Sequence, residues 1–189
     1  DQTSFIDQTE VYLSADRDAA EIHYTLDGSL PDRTSRRHPG GPIRITEDTT
    51  VRAVAFENDR RSLQVAEADF RRFDAESLRD PAHGLDWNPE RPGVLDVTRY
   101  EGGWQSLVDL PAIRPLDRIT ADRVDAGLRS RDEHCGLVFE GFVRARKTGV
   151  HTFHLRSDDG SRLHLDGDLV IDNDGLHGSI ERTRQVPLK

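Results

Sequence analysis

Val150-His-Thr-Phe-His-Leu-Arg-Ser-Asp-Asp-Gly-Ser-Arg-Leu-His-Leu-Asp-Gly-Asp-Leu-Val-Ile-Asp172 alternates apolar and polar residues in short runs broken by Asp/Gly turns. A side-chain period of two is what a strand with one buried face requires. The spacing predicts strands over 150–156, 161–165 and 168–172. Pairing residues whose numbers sum to 318 sets Phe153 opposite Leu165 and Leu155 opposite Leu163, with His154 opposite His164 on the other face. The tip of that pair is Ser157-Asp158-Asp159-Gly160-Ser161, and Asp166-Gly167 is a favoured two-residue hairpin turn.

The same reading extends upstream. Residues 137–144 form one more candidate strand in the second half. In the first half Ile22, Tyr24 and Leu26 alternate with His23 and Thr25 before Asp27-Gly28-Ser29. Ile43 and Ile45 flank Arg44, Val51, Ala53 and Ala55 alternate with Arg52 and Val54, and 66–73 closes the set. Nowhere do apolar residues recur at helical spacing over three turns, so the class is all-β. Between 75 and 92 the alternation stops and Pro81, Gly84, Pro89 and Pro92 interrupt any ladder. The expected organisation is a domain over 1–74, a linker over 75–92 and a second domain over 93–189. No internal repeat relates the halves.

Composition narrows the function. With 34% hydrophobic and 32% charged residues the chain is of globular type, and no apolar run approaches the roughly 20 residues of a membrane span. Net charge is −9, from 26 basic and 35 acidic residues. Neither domain is basic: the counts are 10 against 15 in 1–74 and 14 against 16 in 93–189, so nucleic acid is not an expected partner. A lone Cys135 excludes an intrachain disulfide and a multi-cysteine zinc site. The chain starts at Asp1, holds no Met and is read as a piece of a longer protein.

Six carboxylates (Asp158, Asp159, Asp166, Asp168, Asp172, Asp174) crowd one stretch with Arg162 and Asn173. Such crowding costs repulsion unless a cation is bound or the groups fan into solvent. Turns are also rich in Asp and Asn simply because these residues bond their own backbone. Neighbours in an extended chain point opposite ways. Asp158 and Asp159 therefore face one cation only through unusual backbone, for instance a cis peptide costing about 3–4 kcal/mol. Calcium, with its six to eight oxygen ligands, is the cation that suits them. His151 and His154 lie three apart on a strand and face opposite sides, so they do not share a zinc; His154 and His164 read as an exposed polar pair. No nucleophile elbow, phosphate loop or His-Glu metal helix is present, and no catalytic site is expected.

Two resemblances become specific at this point. Glu21-Ile-His-Tyr-Thr-Leu-Asp-Gly-Ser-Leu-Pro-Asp32 with Ser35, Pro42-Ile-Arg-Ile45 and Thr49-Thr-Val-Arg-Ala-Val-Ala55 resembles the chitobiase/β-hexosaminidase C-terminal domain. That resemblance covers about 8–72 and implies a small immunoglobulin-like β-sandwich, without catalytic residues, accompanying secreted bacterial glycosidases. From Gly93 the chain resembles the protective-antigen-type PA-fourteen domain, a lectin-like β-barrel. The matching motifs are Tyr100-Glu-Gly-Gly-Trp104, Leu110-Pro111, Phe139-Glu-Gly-Phe142, Gly149-Val-His-Thr-Phe153, Ser157-Asp-Asp-Gly-Ser161, Leu165-Asp-Gly167 and Asp172-Asn-Asp-Gly-Leu-His-Gly178. The barrel is expected to be incomplete at its C-terminus.

What the second resemblance implies is a calcium ion on an Asp-Asp pair joined by a cis peptide, orienting sugar hydroxyls; the matching pair is Asp158 and Asp159. Asn173 and Asp174 are candidates for a further ligand, and His177 and Trp104 for sugar contacts, Trp104 being also a natural core residue. The expected function is that of a non-catalytic accessory region of a secreted, periplasmic or surface bacterial glycoside hydrolase, of β-N-acetylhexosaminidase type. Its partners would be a glycan or polysaccharide and the parent's catalytic domain. The alternatives are spacer or docking modules without a ligand, or part of a β-glucosidase, a sulfatase or an adhesin.

Overall fold

The computed structural model of the chain describes residues 2–16, 20–57, 60–80, 93–107, 110 and 113–189. They hold fifteen strands, two short 3-10 turns at Ala75–Ser77 and Ala126–Leu128, and no α-helix. The all-β expectation holds. Two compact units divide the chain: Asp1–Arg79 with Lys147–His151 and Pro187–Lys189, and Asp80–Arg146 with Thr152–Val186.

The first unit is a sandwich. One sheet runs β1(Gln2–Ile6), β8(Ala66–Phe73), β6(Thr49–Glu57), β3(Glu21–Thr25), β4(Arg36–Arg37), with β7(Arg60–Arg61) beside β6. The other pairs β2(Thr9–Val11) with β5(Ile43–Ile45). Alternation places Val51 and Ala53 of β6 and Tyr24 of β3 on one face. Ile43, Ile45 and Phe5 complete that core. Fully burying an Ile or Phe side chain stabilises by about 1.5–3 kcal/mol, which is why these positions fix the register.

His23, Val54 and Phe56 occupy the opposite face and are buried as well. The loop after β3 covers them: Ser35 O lies 3.0 Å from His23 Nδ1 and the Arg33 guanidinium sits 4.7 Å from the Phe56 ring centre. Asp32 shapes that loop, its Oδ1 accepting from Thr34 N (2.8 Å) and Thr34 Oγ1 (2.6 Å). Asp27 likewise accepts from Ser29 N and Oγ, and Gly28 takes φ of 75°, the left-handed conformation a turn before Ser29 requires. The aspartates of the Asp-Gly-Ser and Pro-Asp motifs are thus turn formers.

In the second unit β9(Leu95–Glu101) is central, antiparallel to both β10(Asp117–Ala121) and β11(Cys135–Glu140). Val97, fully buried, opposes Ile119 on one side and Phe139 on the other. Arg99 and Asp117 face each other across β9 and β10 and form a two-pronged ion pair. The guanidinium holds the Asp117 carboxyl below the usual aspartate range.

β12(Gly149–Ser157) pairs with β15(Ile180–Leu188), and β13(Ser161–Leu165) with β14(Asp168–Asn173). Asp166 and Gly167 join the latter two with φ of 52° and 86°, both positive as the expected hairpin turn demands.

Three expectations are corrected. The ladder between β12 and β13 with numbers summing to 318 does not form, because β12 takes nine-residue β15 as partner and β13 takes β14. One pair of that register survives at the tip, where Ser157 and Ser161 hydroxyls meet at 2.7 Å. His154 accordingly faces Glu181 at 3.3 Å instead of His164. The strand expected over 137–144 ends at Glu140, since Phe142, Val143 and Arg144 are all exposed and offer no buried face. The Asp158–Asp159 peptide is trans, and the local turn is made by Asp159 at φ 58°. Asp and Asn enter the left-handed region more readily than other side-chain-bearing residues, so the turn needs no cis bond. Of the linker expected over 75–92, residues 81–92 lie outside those described.

Candidate functional site

Two turns of the second unit meet around Asp158 and Asp159. The first, 158–160, joins β12 to β13; the second, 174–179, joins β14 to β15. Asp159 N–H donates to His177 O at 3.0 Å, and His177 N–H donates back to Asp159 Oδ1 at 3.3 Å. Gly160 allows the approach: a Cβ there would sit 2.8 Å from Asp174 Oδ1 and 3.1 Å from Gly175 N.

Asn173 and Asp174 hold this arrangement. Asn173 is buried, and its amide donates to Ser157 Oγ at 3.0 Å and to Ile180 O at 3.3 Å, tying both ends of the turns together. Asp174 Oδ1 accepts from Leu107 N at 2.6 Å and Gly175 N at 2.8 Å, and Oδ2 accepts from Arg162 at 2.9 Å. Arg162 also donates to Leu107 O at 2.9 Å and to Asp172 at 3.3 Å. Its hydrogen bond, with that of Asp174 N–H, draws the Asp172 carboxyl below the ordinary range. The crowding of carboxylates seen in sequence is therefore relieved on one side by a single arginine.

On the other side the relief comes from His177. Nε2 lies 2.9 Å from Asn173 O and Nδ1 lies 2.8 Å from Gly178 O. Carbonyls only accept, so both ring nitrogens bond at once only as imidazolium. The Asn173 carbonyl, then that of Gly178, raise the His177 pKa, and the charges of Asp159 and Asp158 raise it further. A ring whose two nitrogens both donate has no lone pair left for a metal.

Asp158 is exposed and accepts no hydrogen bond among the described residues. The site residues expected from sequence thus separate into two groups. Asp158, Asp159 and His177 come together at the tip, with Asn173 and Asp174 underneath as supports. Trp104 is half-buried and packs over glycines: a Cβ on Gly102 would be 2.5 Å from its ring and one on Gly136 would be 3.4 Å away. One side of its ring is therefore engaged in packing. Ser157 and Leu107 are the supporting residues not singled out from sequence, whereas Arg162 already stands out there among the carboxylates; the sum of 318, which sets Ser157 opposite Ser161, carries a signal for Ser157.

Two exposed neighbouring carboxylates suit a hard cation in kind. In number they fall short, since among the described residues no group of three or more His, Cys, Asp or Glu side chains is arranged to hold a metal. Calcium on Asp158 and Asp159 would take its remaining oxygens from backbone carbonyls, water or a ligand's hydroxyls.

A β-sandwich followed by a β-rich unit, with its polar tip built from turns, defines an all-β architecture, and the comparisons with known families give it a place. Residues 2–67 match the Chitobiase/beta-hexosaminidase C-terminal domain and residues 90–189 match the PA14 domain. The chain belongs to the PA14 domain family, preceded by a chitobiase-type domain, a combination typical of glycoside hydrolase accessory regions. No curated protein and no solved structure matches it. Among the described residues no helix is long and apolar enough to cross a membrane.

Proposed function

We propose that this chain is a non-catalytic accessory region of a secreted bacterial glycoside hydrolase, of β-N-acetylhexosaminidase type, whose PA14 domain binds carbohydrate with calcium held by Asp158 and Asp159. The observation that carries the reading is the succession of the two matched domains in one chain. The tip geometry supports it: Asp158 is uncommitted and exposed, Asp159 is fixed by the His177 backbone, and the turns beneath are tied by Asn173 and Asp174. Bound calcium would supply a positive centre for sugar hydroxyls, while the chain's own residues fix the Asp159 turn and leave the Asp158 carboxylate open to the ion. A secreted, periplasmic or surface location goes with this reading, since the proposed parent enzyme would act on external polysaccharide.

Glycan-array binding of the whole chain in millimolar calcium and in excess chelator tests the proposal. Retention of neutral or N-acetylated glycans in calcium and its loss in chelator is the expected result. No glycan retained in either condition would favour spacer modules instead.

A further inference from the structure

In a chain of net charge −9, no acidic residue occurs from Gly141 to Ser157. Within that stretch Phe142, Val143, Arg144 and Arg146 are all exposed, Phe142 at 48% and Val143 at 63%. They belong to the segment that leaves the sheet after β11, and it starts close against β9: a Cβ on Gly141 would meet Leu95 Cδ2 at 2.4 Å. Arg144 and Arg146, with Ala145 between them, line an open depression. Neither guanidinium has a hydrogen-bond or ion-pair partner among the described residues, whereas Arg99 and Arg162 of the same unit are fully engaged by carboxylates and carbonyls.

Two unpaired guanidiniums, two and four residues after an exposed aromatic side chain on the same segment, are a chemical match for one ligand class. A guanidinium pairs in two-pronged fashion with a carboxylate or sulfate, and an aromatic face packs on the C–H face of a sugar ring. A neutral glycan would leave the arginines unused. A polyanion without an apolar face would leave Phe142 unused. We propose that Phe142, Arg144 and Arg146 form a second carbohydrate site, for acidic polysaccharide carrying uronate or sulfate groups, separate from the calcium-type tip at Asp158 and Asp159. The site needs no metal, and it stands whether or not that tip binds sugar. The acidic remainder of the chain repels such a polymer, so contact is local and weakens steeply with salt.

The test is affinity electrophoresis of the whole chain, with chelator throughout, in polygalacturonate, in heparin and in neutral dextran. The double variant Arg144→Gln, Arg146→Gln and the single Phe142→Ala run alongside. These positions are exposed, and an unchanged melting temperature verifies that each variant folds. Retardation by at least one acidic polymer, none by dextran, and about a tenfold loss of affinity in the double variant, the size of losing one or two charge-assisted bonds, is expected. A smaller loss is expected for Phe142→Ala. The polygalacturonate and heparin lanes separate carboxylate from sulfate as the group recognised. Retardation unchanged in the double variant, equal retardation by dextran, or no retardation by either acidic polymer would overturn the proposal. So would binding to phosphatidylglycerol vesicles without binding to either polymer.

Discussion

Asp159 and His177 are joined twice through the His177 backbone, once by each residue's N–H. The pairing fixes the one turn residue that combines a positive φ of 58° with a place beside Asp158. Asp159→Asn keeps both a side-chain acceptor and tolerance of the left-handed region, so its melting temperature should stay near that of the parent. Asp159→Val loses both and should lower stability by about 1–3 kcal/mol, measured by urea denaturation. Equal stability of the two variants would show that the turn is not held this way.

Asp174 makes a second prediction. Replacing it by Ala leaves Leu107 N–H and Gly175 N–H without their acceptor and Arg162 without its carboxylate. The expected loss is about 1–3 kcal/mol in the same assay. Gly160→Ala pushes a methyl to 2.8 Å from that carboxylate and 3.1 Å from backbone nitrogen, and should cost about 1–3 kcal/mol as well. Combined, the two should cost less than their sum, because Asp174→Ala removes one of the atoms that the Gly160 methyl strikes.

His177 should make stability depend on pH. Its pKa is raised on folding above the ordinary 6.5. The stabilisation from its two carbonyl bonds is then complete below the unfolded pKa and is lost as pH rises through the folded pKa. Thermal melts should therefore show the second domain losing stability as pH rises above the ordinary histidine pKa of 6.5, with the dependence flattened in His177→Gln. A melting temperature that rises over this window would contradict the doubly donating ring.

Ile45 tests the first domain. It is 2% exposed within the cluster of Phe5, Tyr24 and Val51, so Ile45→Ala should destabilise by about 2–5 kcal/mol in urea. Arg44→Ala, on the exposed side of the same strand, should cost under about 0.5 kcal/mol.

Local patterns were legible in the sequence and distant partners were not. β5 and β8 occupy the expected residues, and β6, β12 and β14 extend the expected ones by one to three residues. β5 alternates strictly and β14 carries an apolar run bounded by turn residues, while β6, β8 and β12 alternate over part of their length. β15 carries no strand signal, because Ile-Glu-Arg-Thr-Arg-Gln-Val-Pro-Leu offers charge and a proline where a strand pattern shows alternating apolar positions. Without a signal for β15, local pattern pairs β12 with its nearest neighbour in sequence, whereas its partner in the fold lies over twenty residues away. β1 pairs in parallel with β8, a contact spanning the first domain that no short-range signal encodes. At the site, the Asp158–Asp159 pair was legible as a motif, while the supporting roles of Asn173 and Asp174 depend on Leu107 and Arg162, which only folding brings near.

The central claim is that Asp158 and Asp159 hold calcium for carbohydrate binding. Its most direct test is thermal unfolding of the whole chain in millimolar calcium and in excess chelator, with the Asp158→Asn, Asp159→Asn double variant in parallel. An ion that binds only the folded state adds about 2.7 kcal/mol at a hundred times its dissociation constant. The account predicts a calcium-dependent rise in the melting of the PA14 domain that vanishes in the double variant. Identical melts with and without calcium, or a rise that survives in the variant, would contradict it.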